Sequence, residues 1–319
     1  MNRFNPQYKL LKHYTHLYKF LNQEHIYPIL VEISPTNICN AKCSFCFYVG
    51  KHTKEEIEFV SLKNTLKEFK ECGIKAINWT GGGEPTIYSK FREATEYANE
   101  LNLEQGLFTN AYNPTQVNPS LFKWTRISIT PRYFFFAQTL TEWSDYTTVG
   151  VCMSVTPETI GAVKLMCQLS SRYGADYFQI RPALASPNKQ QSNLKFKDFE
   201  HLKEYESENF KVELSPYKFE TYIQPRSYTK CYGCYFCPSL IYNGDITTCN
   251  YHFEEESFTL GNIYQDNFKT IWNSARTKEI LDSLENDKLK NCQICCKNDQ
   301  INKLLFELKN GNLENINFL

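Results

Sequence analysis

The stretch Cys39-Asn40-Ala41-Lys42-Cys43-Ser44-Phe45-Cys46 packs three thiols into eight residues, spaced C-x3-C-x2-C. It constrains the chain more than any other segment does. Three thiolates on one loop suit three irons of a cubane cluster, which leaves the fourth iron open to a small molecule. Catalytic metal sites keep such a position free. A zinc site would need a fourth ligand, and His52, six residues past Cys46, is the nearest candidate. A disulfide loop is disfavoured in a chain this large whose start, Met-Asn-Arg-Phe-Asn-Pro, has no apolar signal-peptide core.

The neighbours decide between these. An aromatic residue, Phe45, precedes the third cysteine, and Gly81-Gly82-Gly83-Glu84-Pro85 follows the apolar run Ala76-Ile77-Asn78-Trp79-Thr80. A C-x3-C-x-aromatic-C loop followed by a strand ending in GGxEP resembles the radical S-adenosylmethionine (radical SAM) superfamily. The resemblance implies that Cys39, Cys43 and Cys46 bind a [4Fe-4S] cluster whose open iron is chelated by the amino and carboxylate groups of SAM. It implies that Gly81, Gly82, Gly83 and Glu84 hydrogen-bond the SAM amino group through backbone carbonyls and the Glu side chain, and that Phe45 lies against the adenine. It also implies the chemistry. An electron, delivered by a reducing partner such as flavodoxin or ferredoxin, cleaves SAM to a 5′-deoxyadenosyl radical that abstracts a substrate hydrogen atom.

At 319 residues the chain suits a barrel-sized domain plus a smaller one. Lys+Arg and Asp+Glu balance at 35 each, so no basic field argues for nucleic acid and no acidic excess for disorder. Ten of the 13 cysteines fall between 39 and 46 or between 231 and 296. Clustered thiols without an export signal point to metal binding in a reducing cytoplasm. No apolar run reaches the roughly 18 residues of a membrane span.

Residues 1–28 read as one helical segment, with Tyr8, Leu11, Tyr14 or Thr15, and Tyr18 at helical spacing. From there strands and helices alternate. Strands are expected at 29–34, 76–80, 105–110, 126–130, 147–155 and 177–181. Thr53-x-x-Glu56 reads as a capping box before a helix carrying Phe59, Leu62, Leu66 and Phe69 on one face. Six β/α units predict an α/β fold, a partial (β/α)6 TIM-like barrel over 29–184, followed by a C-terminal region over 185–319. In five of the six strands, all but 105–110, the apolar residues alternate with polar ones, so the apolar set should face the helices. The polar set, including Ser128, Cys152, Gln179 and Arg181, should line the lumen. Burying so many polar groups without partners would cost about 1–3 kcal/mol each, which argues for a polar ligand inside.

The C-terminal region holds Cys231, Cys234, Cys237, Cys249, Cys292, Cys295 and Cys296. Asn243-Gly244 between two short apolar runs reads as a hairpin turn that would return Cys249 towards Cys234 and Cys237. The order of Gly244-x4-Cys249, Gly261-Asn262-Ile263, Ile271-Trp272 and the late cysteines resembles the SPASM/twitch extensions of radical SAM enzymes, which hold auxiliary iron–sulfur clusters. A full SPASM extension carries further cysteines after the late pair, and this chain has none after Cys296. One auxiliary [4Fe-4S] cluster is therefore expected. Cys249 and Cys292 are its firmest ligands, joined by one of Cys231, Cys234 or Cys237 and one of Cys295 or Cys296. A structural zinc knuckle is the plainer alternative.

Cys72 and Cys167 read as core thiols. By parity Cys152 falls in the lumen, either as a hydrogen-atom donor or as a small residue giving SAM room. By parity and family position, Ser128, Gln179 and Arg181 are candidates for ribose and carboxylate contacts. Glu32, Arg132 and Asp145 are candidates for handling or anchoring substrate, while Tyr133–Phe136 read as packing. None of the six histidines shows ligand spacing. The resemblance points to a peptide substrate, modified by epimerisation, crosslinking or excision. A small sugar-like or nucleotide substrate is the second reading, and a non-catalytic electron carrier the third.

Overall fold

The computed structural model describes residues 5–46, 48, 52–129, 136–183, 194–220, 226–290, 292, 296–311, 314 and 317. All six expected strands are present: β1 Leu30–Ser34, β2 Ala76–Trp79, β3 Glu104–Thr109, β4 Trp124–Ile129, β5 Thr148–Val155 and β6 Tyr177–Pro182. They pair in parallel and in chain order. The sheet then extends at both edges. β7 (Lys211–Glu213) adds in parallel to β6. On the other side a hairpin, β8 (Ser239–Ile241) and β9 (Asp245–Thr247), sets its first strand parallel to β1, and β10 (Thr259–Asn262) pairs antiparallel to β9. One ten-stranded sheet, β10-β9-β8-β1-β2-β3-β4-β5-β6-β7, thus contains strands from both sides of residue 184.

The expected alternation places the core. Val31, Ile33, Ile77, Trp79, Ile127, Val151, Phe178 and Ile180 are fully buried on the helix-facing side. Against them pack helices that follow two helices at the N-terminal end, α1 (Pro6–Lys12) and α2 (Tyr14–Leu21). These are α3 (Phe59–Glu71), α4 (Phe91–Glu100), α5 (Phe136–Trp143) and α6 (Val163–Arg172). Leu62, Leu66 and Phe69 of α3 are fully buried, at about 2 kcal/mol each. The C-terminal side carries α7 (Pro216–Glu220), α8 (Phe268–Trp272), α9 (Ala275–Asp282), α10 (Asp287–Lys290) and α11 (Asp299–Asn310). None of the described helices is long and apolar enough to cross a membrane.

Several expectations are corrected. Between β3 and β4 the crossover is two short 3-10 turns, Pro114–Gln116 and Pro119–Leu121, rather than an α-helix. Each begins on a proline, which fixes φ and removes a donor, so a continuous helix through Pro119 would lose a bond. The box at Thr53 caps nothing: α3 starts at Phe59 with Glu58 as N-cap, and the Thr53 hydroxyl donates to Glu55.

The N-terminal segment is two helices, broken at His13 (φ −94°, ψ 45°). Its tyrosine stripe faces outward, with Tyr14 75% and Tyr18 65% exposed. Leu10, Leu17 and Phe20 are buried instead. Both stripes have helical spacing. The apolar one wins because it meets Leu305 of α11 and the rings of Tyr232 and Phe236, whereas a tyrosine hydroxyl is satisfied by water. The C-terminal region opens with a 3-10 segment, Phe196–Tyr205.

Candidate active site

The cysteine loop leaves the C-terminal end of β1. Its stem is fixed by Thr36, whose buried hydroxyl accepts from the Ile38 amide at 3.0 Å and donates to Glu55 O at 3.1 Å. Backbone amides point at two of the thiols: Ala41 N at 3.5 Å from Cys39 Sγ and Tyr48 N at 3.4 Å from Cys46 Sγ. Burial pushes the Cys43 thiol up to about 11, and the nearby Cys46 and Cys39 add to the shift. The three sulfurs are therefore within electrostatic reach of one another, and metal binding would displace their protons. His52, the candidate fourth zinc ligand, instead holds the Asn37 carbonyl through Nδ1.

The glycine loop is docked onto this stem. The Glu84 amide donates to Ile38 O at 2.8 Å. A Cβ on Gly83 would lie 2.2 Å from that same oxygen, so only glycine allows the approach. Gly83→Ala is expected to push the two loops apart and weaken SAM binding at least tenfold, read by equilibrium binding to the loaded protein.

Glu84 is 3% exposed, and its carboxylate braces the loop from within. Oε1 accepts from the Thr86 amide (3.2 Å), Thr86 Oγ1 (2.8 Å) and Thr109 Oγ1 (2.6 Å), while Oε2 accepts from the Asn110 amide (2.7 Å). Burial pushes this carboxyl up, against those four donors. Oε1 is saturated and Oε2 keeps one lone pair. The Glu84 side chain is thus mainly internal scaffolding, which leaves the glycine carbonyls as the loop's acceptors.

The polar set lies on the inner face of the sheet. Ser128, Cys152 and Gln179 pair across β4, β5 and β6 as one row. Ser128 is exposed and Cys152 is 2% exposed. Gln179 is engaged on both sides: Oε1 accepts from Arg126 Nη1 at 3.1 Å and Nε2 donates to Ser215 Oγ at 3.2 Å. The Arg126 guanidinium lies 4.2 Å over the Phe108 ring, and its buried Nε has no partner among the described residues. Arg181, next in the same inner-facing set as Gln179, is half-buried and its charge is felt by Arg126. Phe45 is half-buried on the cysteine loop.

The C-terminal thiols gather on the β8 side of β1. Asn302 of α11 holds the Cys231–Cys234 turn. Its Oδ1 accepts from the Tyr232 and Gly233 amides at 2.8 and 2.7 Å, and its Nδ2 donates to Cys231 Sγ at 3.4 Å. The Cys234 thiol donates to Cys231 O at 3.2 Å, and this neighbour draws the Cys231 thiol down to about 6. Burial pushes Cys292 up to about 12, with Cys231 and Cys296 contributing, and pushes Cys249 up, with Cys296 and Cys231 contributing. Cys234, Cys249, Cys292 and Cys296 are thus all within electrostatic reach of Cys231, and these five thiols form one neighbourhood. Cys237 is different: its charged neighbours are Lys297 and Glu32, and burial pushes it up to about 11. Gly244, at φ +86°, makes the hairpin turn that returns Cys249 to this group. Asn262 of the Gly-Asn-Ile motif braces that turn by donating to Asn243 O at 3.0 Å. Cys295 lies outside the described residues. Among those described, no three His, Cys, Asp or Glu side chains converge on single-ion spacing.

A polar bridge joins the two thiol sets. Glu32, 8% exposed on β1, forms an ion pair with Lys297 and accepts from Asn250 Nδ2 at 2.7 Å. Lys297 Nζ also lies 3.6 Å from Cys237 Sγ. The Tyr48 hydroxyl donates to Asn250 O at 2.7 Å. Cys46 and Cys249 are therefore linked through Tyr48 and Asn250. The sequence analysis singled out Glu32 but missed Tyr48, Asn250, Lys297, His252 and Asn302. The only signal for the first four was adjacency, since each lies within three residues of a cysteine.

Other candidates fall elsewhere. Asp145 lines a groove of about 730 Å³ with Glu104, Thr148 and Asp176, at the N-terminal ends of the strands and opposite the cysteine loop, so it is not a substrate residue of this site. Arg132 and Tyr133–Phe135 lie outside the described residues, and Phe136 is fully buried. Cys167 is buried and Cys72 is half-buried at the end of α3.

Comparison with known proteins agrees with this arrangement. The Radical SAM superfamily matches residues 33–142 and the SPASM iron-sulfur cluster-binding domain matches residues 231–297. A stretch of 63 residues is 40% identical to an S-adenosylmethionine-dependent nucleotide dehydratase of Siniperca chuatsi, covering 20% of this chain and 17% of that protein. A stretch of 88 residues is 32% identical to a GTP 3′,8-cyclase of Psychromonas ingrahamii, covering 26% of each. The matches thus span about a quarter or less of these curated relatives.

Among solved structures, Streptococcus suis SuiB bound to precursor peptide SuiA superposes with a TM-score of 0.61 at 17% identity, over 84% of this chain and 70% of that one. The anSMEcpe structure with bound AdoMet and Kp18Cys peptide gives 0.56 at 17% identity, over 86% and 88%. At such identity these two likenesses establish the fold. The cofactors that go with the two matched domains are a [4Fe-4S] cluster, SAM and auxiliary iron–sulfur. With the cysteine loop, the glycine loop and the second thiol group all within matched regions, the chain carries a radical SAM superfamily domain over residues 33–142 and a C-terminal SPASM domain over residues 231–297.

Proposed function

We propose that the protein is a radical SAM enzyme acting on a peptide, with Cys39, Cys43 and Cys46 holding the SAM-binding cluster. One observation carries this: the thiol loop and a glycine loop docked on its stem share the open end of a polar-lined sheet, with a second thiol group bridged to the first. The residues fit the cofactors. Amides aim at two of the three thiols, the glycine carbonyls accept no hydrogen bond among the described residues, and the Ser128–Cys152–Gln179 row offers polar contacts. When bound, the cluster and SAM supply reductive cleavage to a 5′-deoxyadenosyl radical and abstraction of a substrate hydrogen atom.

Phe45, Ser128 and Arg181 would contact SAM, with Gln179 orienting Arg126 below it. Cys152 would lie within the lumen as a hydrogen-atom donor. The auxiliary cluster would take its four ligands from the five neighbouring thiols and Cys295, and Cys237 would face the barrel. Residues 29–184 form the catalytic core in this reading. A flavodoxin- or ferredoxin-like protein would deliver the electron, in the cytoplasm, where thiols stay reduced.

The peptide reading is supported by the overlap with two peptide-bound structures across most of the chain. A nucleotide substrate is the second reading. It is favoured by the local identity to two nucleotide enzymes and by Arg126 and Arg181, neither of which makes a salt bridge among the described residues.

Reconstituted, reduced protein should release 5′-deoxyadenosine from SAM. Candidate peptides should raise that release above the substrate-free rate, and nucleoside triphosphates should not. Faster release with triphosphates alone would favour the second reading. No release from fully loaded protein would leave the electron-carrier reading in its place.

A further inference from the structure

His252 has no ligand spacing in the sequence, yet the fold leaves it only 3% exposed. Its ring lies flat on Phe258, with centroids 3.8 Å apart and 3° between the planes. Nδ1 meets Glu255 Oε2 at 3.0 Å, and Nε2 meets Cys292 Sγ at 3.0 Å. The stack sets the plane of the ring and the two contacts set its rotation. The Cys292 backbone is held as well, since Arg226 Nη2 donates to its carbonyl at 2.6 Å.

The chemistry of the two contacts gives the direction of the hydrogen bond. The Glu255 carboxylate can only accept, so Nδ1 carries a hydrogen. A cysteine that binds iron does so as thiolate, and then it too can only accept. Facing a thiolate at 3.0 Å, Nε2 serves it as an N–H donor, which together with Nδ1–H makes the ring an imidazolium between two anions. A separation of 3.0 Å is a hydrogen bond between the two side chains, whereas ligands on different irons would stand further apart. Hydrogen bonds to cluster sulfurs help set reduction potentials, and outer partners that fix a histidine tune the metal it serves. A donor at the sulfur offsets the extra negative charge of the reduced cluster, and a charged donor does so more strongly than a neutral one.

We propose that His252, held by Glu255 and Phe258, is a positioning residue that donates to the Cys292 sulfur and raises the reduction potential of the auxiliary cluster. The proposal rests on the reading of Cys292 as a ligand, given above.

The test is an EPR-monitored redox titration of the full chain with its clusters loaded. In His252→Leu, at the ambient potential that half-reduces the wild-type auxiliary cluster, the reduced-to-oxidised ratio should fall about tenfold. That corresponds to about 59 mV for a one-electron couple. His252→Gln, whose amide can still donate towards the sulfur, should recover part of the loss, and Glu255→Gln should fall between. Iron and sulfide per chain should stay at wild-type levels.

An unshifted ratio in His252→Leu with its cluster intact overturns the proposal. So does a strong nitrogen hyperfine coupling in the reduced wild-type cluster, which would make His252 a ligand. This second readout does not depend on any variant folding. Cys292→Ala separates the two claims. If it keeps a wild-type auxiliary signal, the ligand reading fails and the proposal with it. If it loses that signal while His252→Leu is unshifted, only the proposal fails.

Discussion

Cys43→Ala is expected to reduce 5′-deoxyadenosine formation by more than the roughly 10–100-fold typical of losing an outer partner of a metal site. Cys43 is the middle thiol of the trio, and burial and its two thiol neighbours act on it together. With two thiols left, the loop cannot retain a cubane while leaving one iron open to SAM. Iron content should drop by about four atoms per chain. The auxiliary EPR signal should persist, because the second thiol group has its own scaffold in Asn302 and the β8–β9 hairpin. Cys72→Ala is the matched control: this half-buried thiol at the end of α3 should change neither iron content nor turnover. A Cys43→Ala protein that still shows a SAM-dependent spectral change would remove the site from this loop.

The second large effect concerns the bridge between the thiol sets. The Glu32 side chain is 11% exposed and that of Lys297 is 30% exposed. Removing one partner of a buried pair leaves the other charge uncompensated, at about 3–5 kcal/mol. Since Lys297 keeps part of its solvent, the lower end applies, about 3 kcal/mol for either Glu32→Gln or Lys297→Met. The Lys297→Met change also strands the Asn250 contact on a lone carboxylate. The double variant should lose less than the sum of the singles, because neither charge is then left alone. Anaerobic thermal unfolding of the loaded protein is the measurement, with a fall of about 4–5 °C expected for each single variant. Singles within about 0.5 kcal/mol of wild type would show the bridge to be an ordinary surface pair. The prediction bears on function because Glu32 belongs to the barrel sheet, whereas Lys297 directly follows Cys296.

How much of this was legible follows from the range of each interaction. Five of the six parallel strands were readable because their alternation of apolar and polar residues is local and repeats every two positions, as in Val149-Gly150-Val151-Cys152-Met153. Where two local patterns competed, the sequence was ambiguous. The stripe of Tyr14 and Tyr18 and the stripe of Leu10, Leu17 and Phe20 both fit a helix, and only the presence of Leu305 and Phe236 selected the second. Thr53 and Glu56 had the spacing of a capping box, but Thr53 turned to Glu55 instead.

By itself the sequence determined the chemistry of the two thiol groups and the strand order of the barrel. Both depend on residue types at short spacings, which the chain carries along its own length. Tertiary structure alone decided which distant side chains serve them. It closed the glycine loop on Ile38, turned the Glu84 carboxylate inward, set β8 against β1 and brought His252 to a sulfur forty residues away. Such contacts depend on where strands and turns pack in space, and neither periodicity nor spacing encodes that.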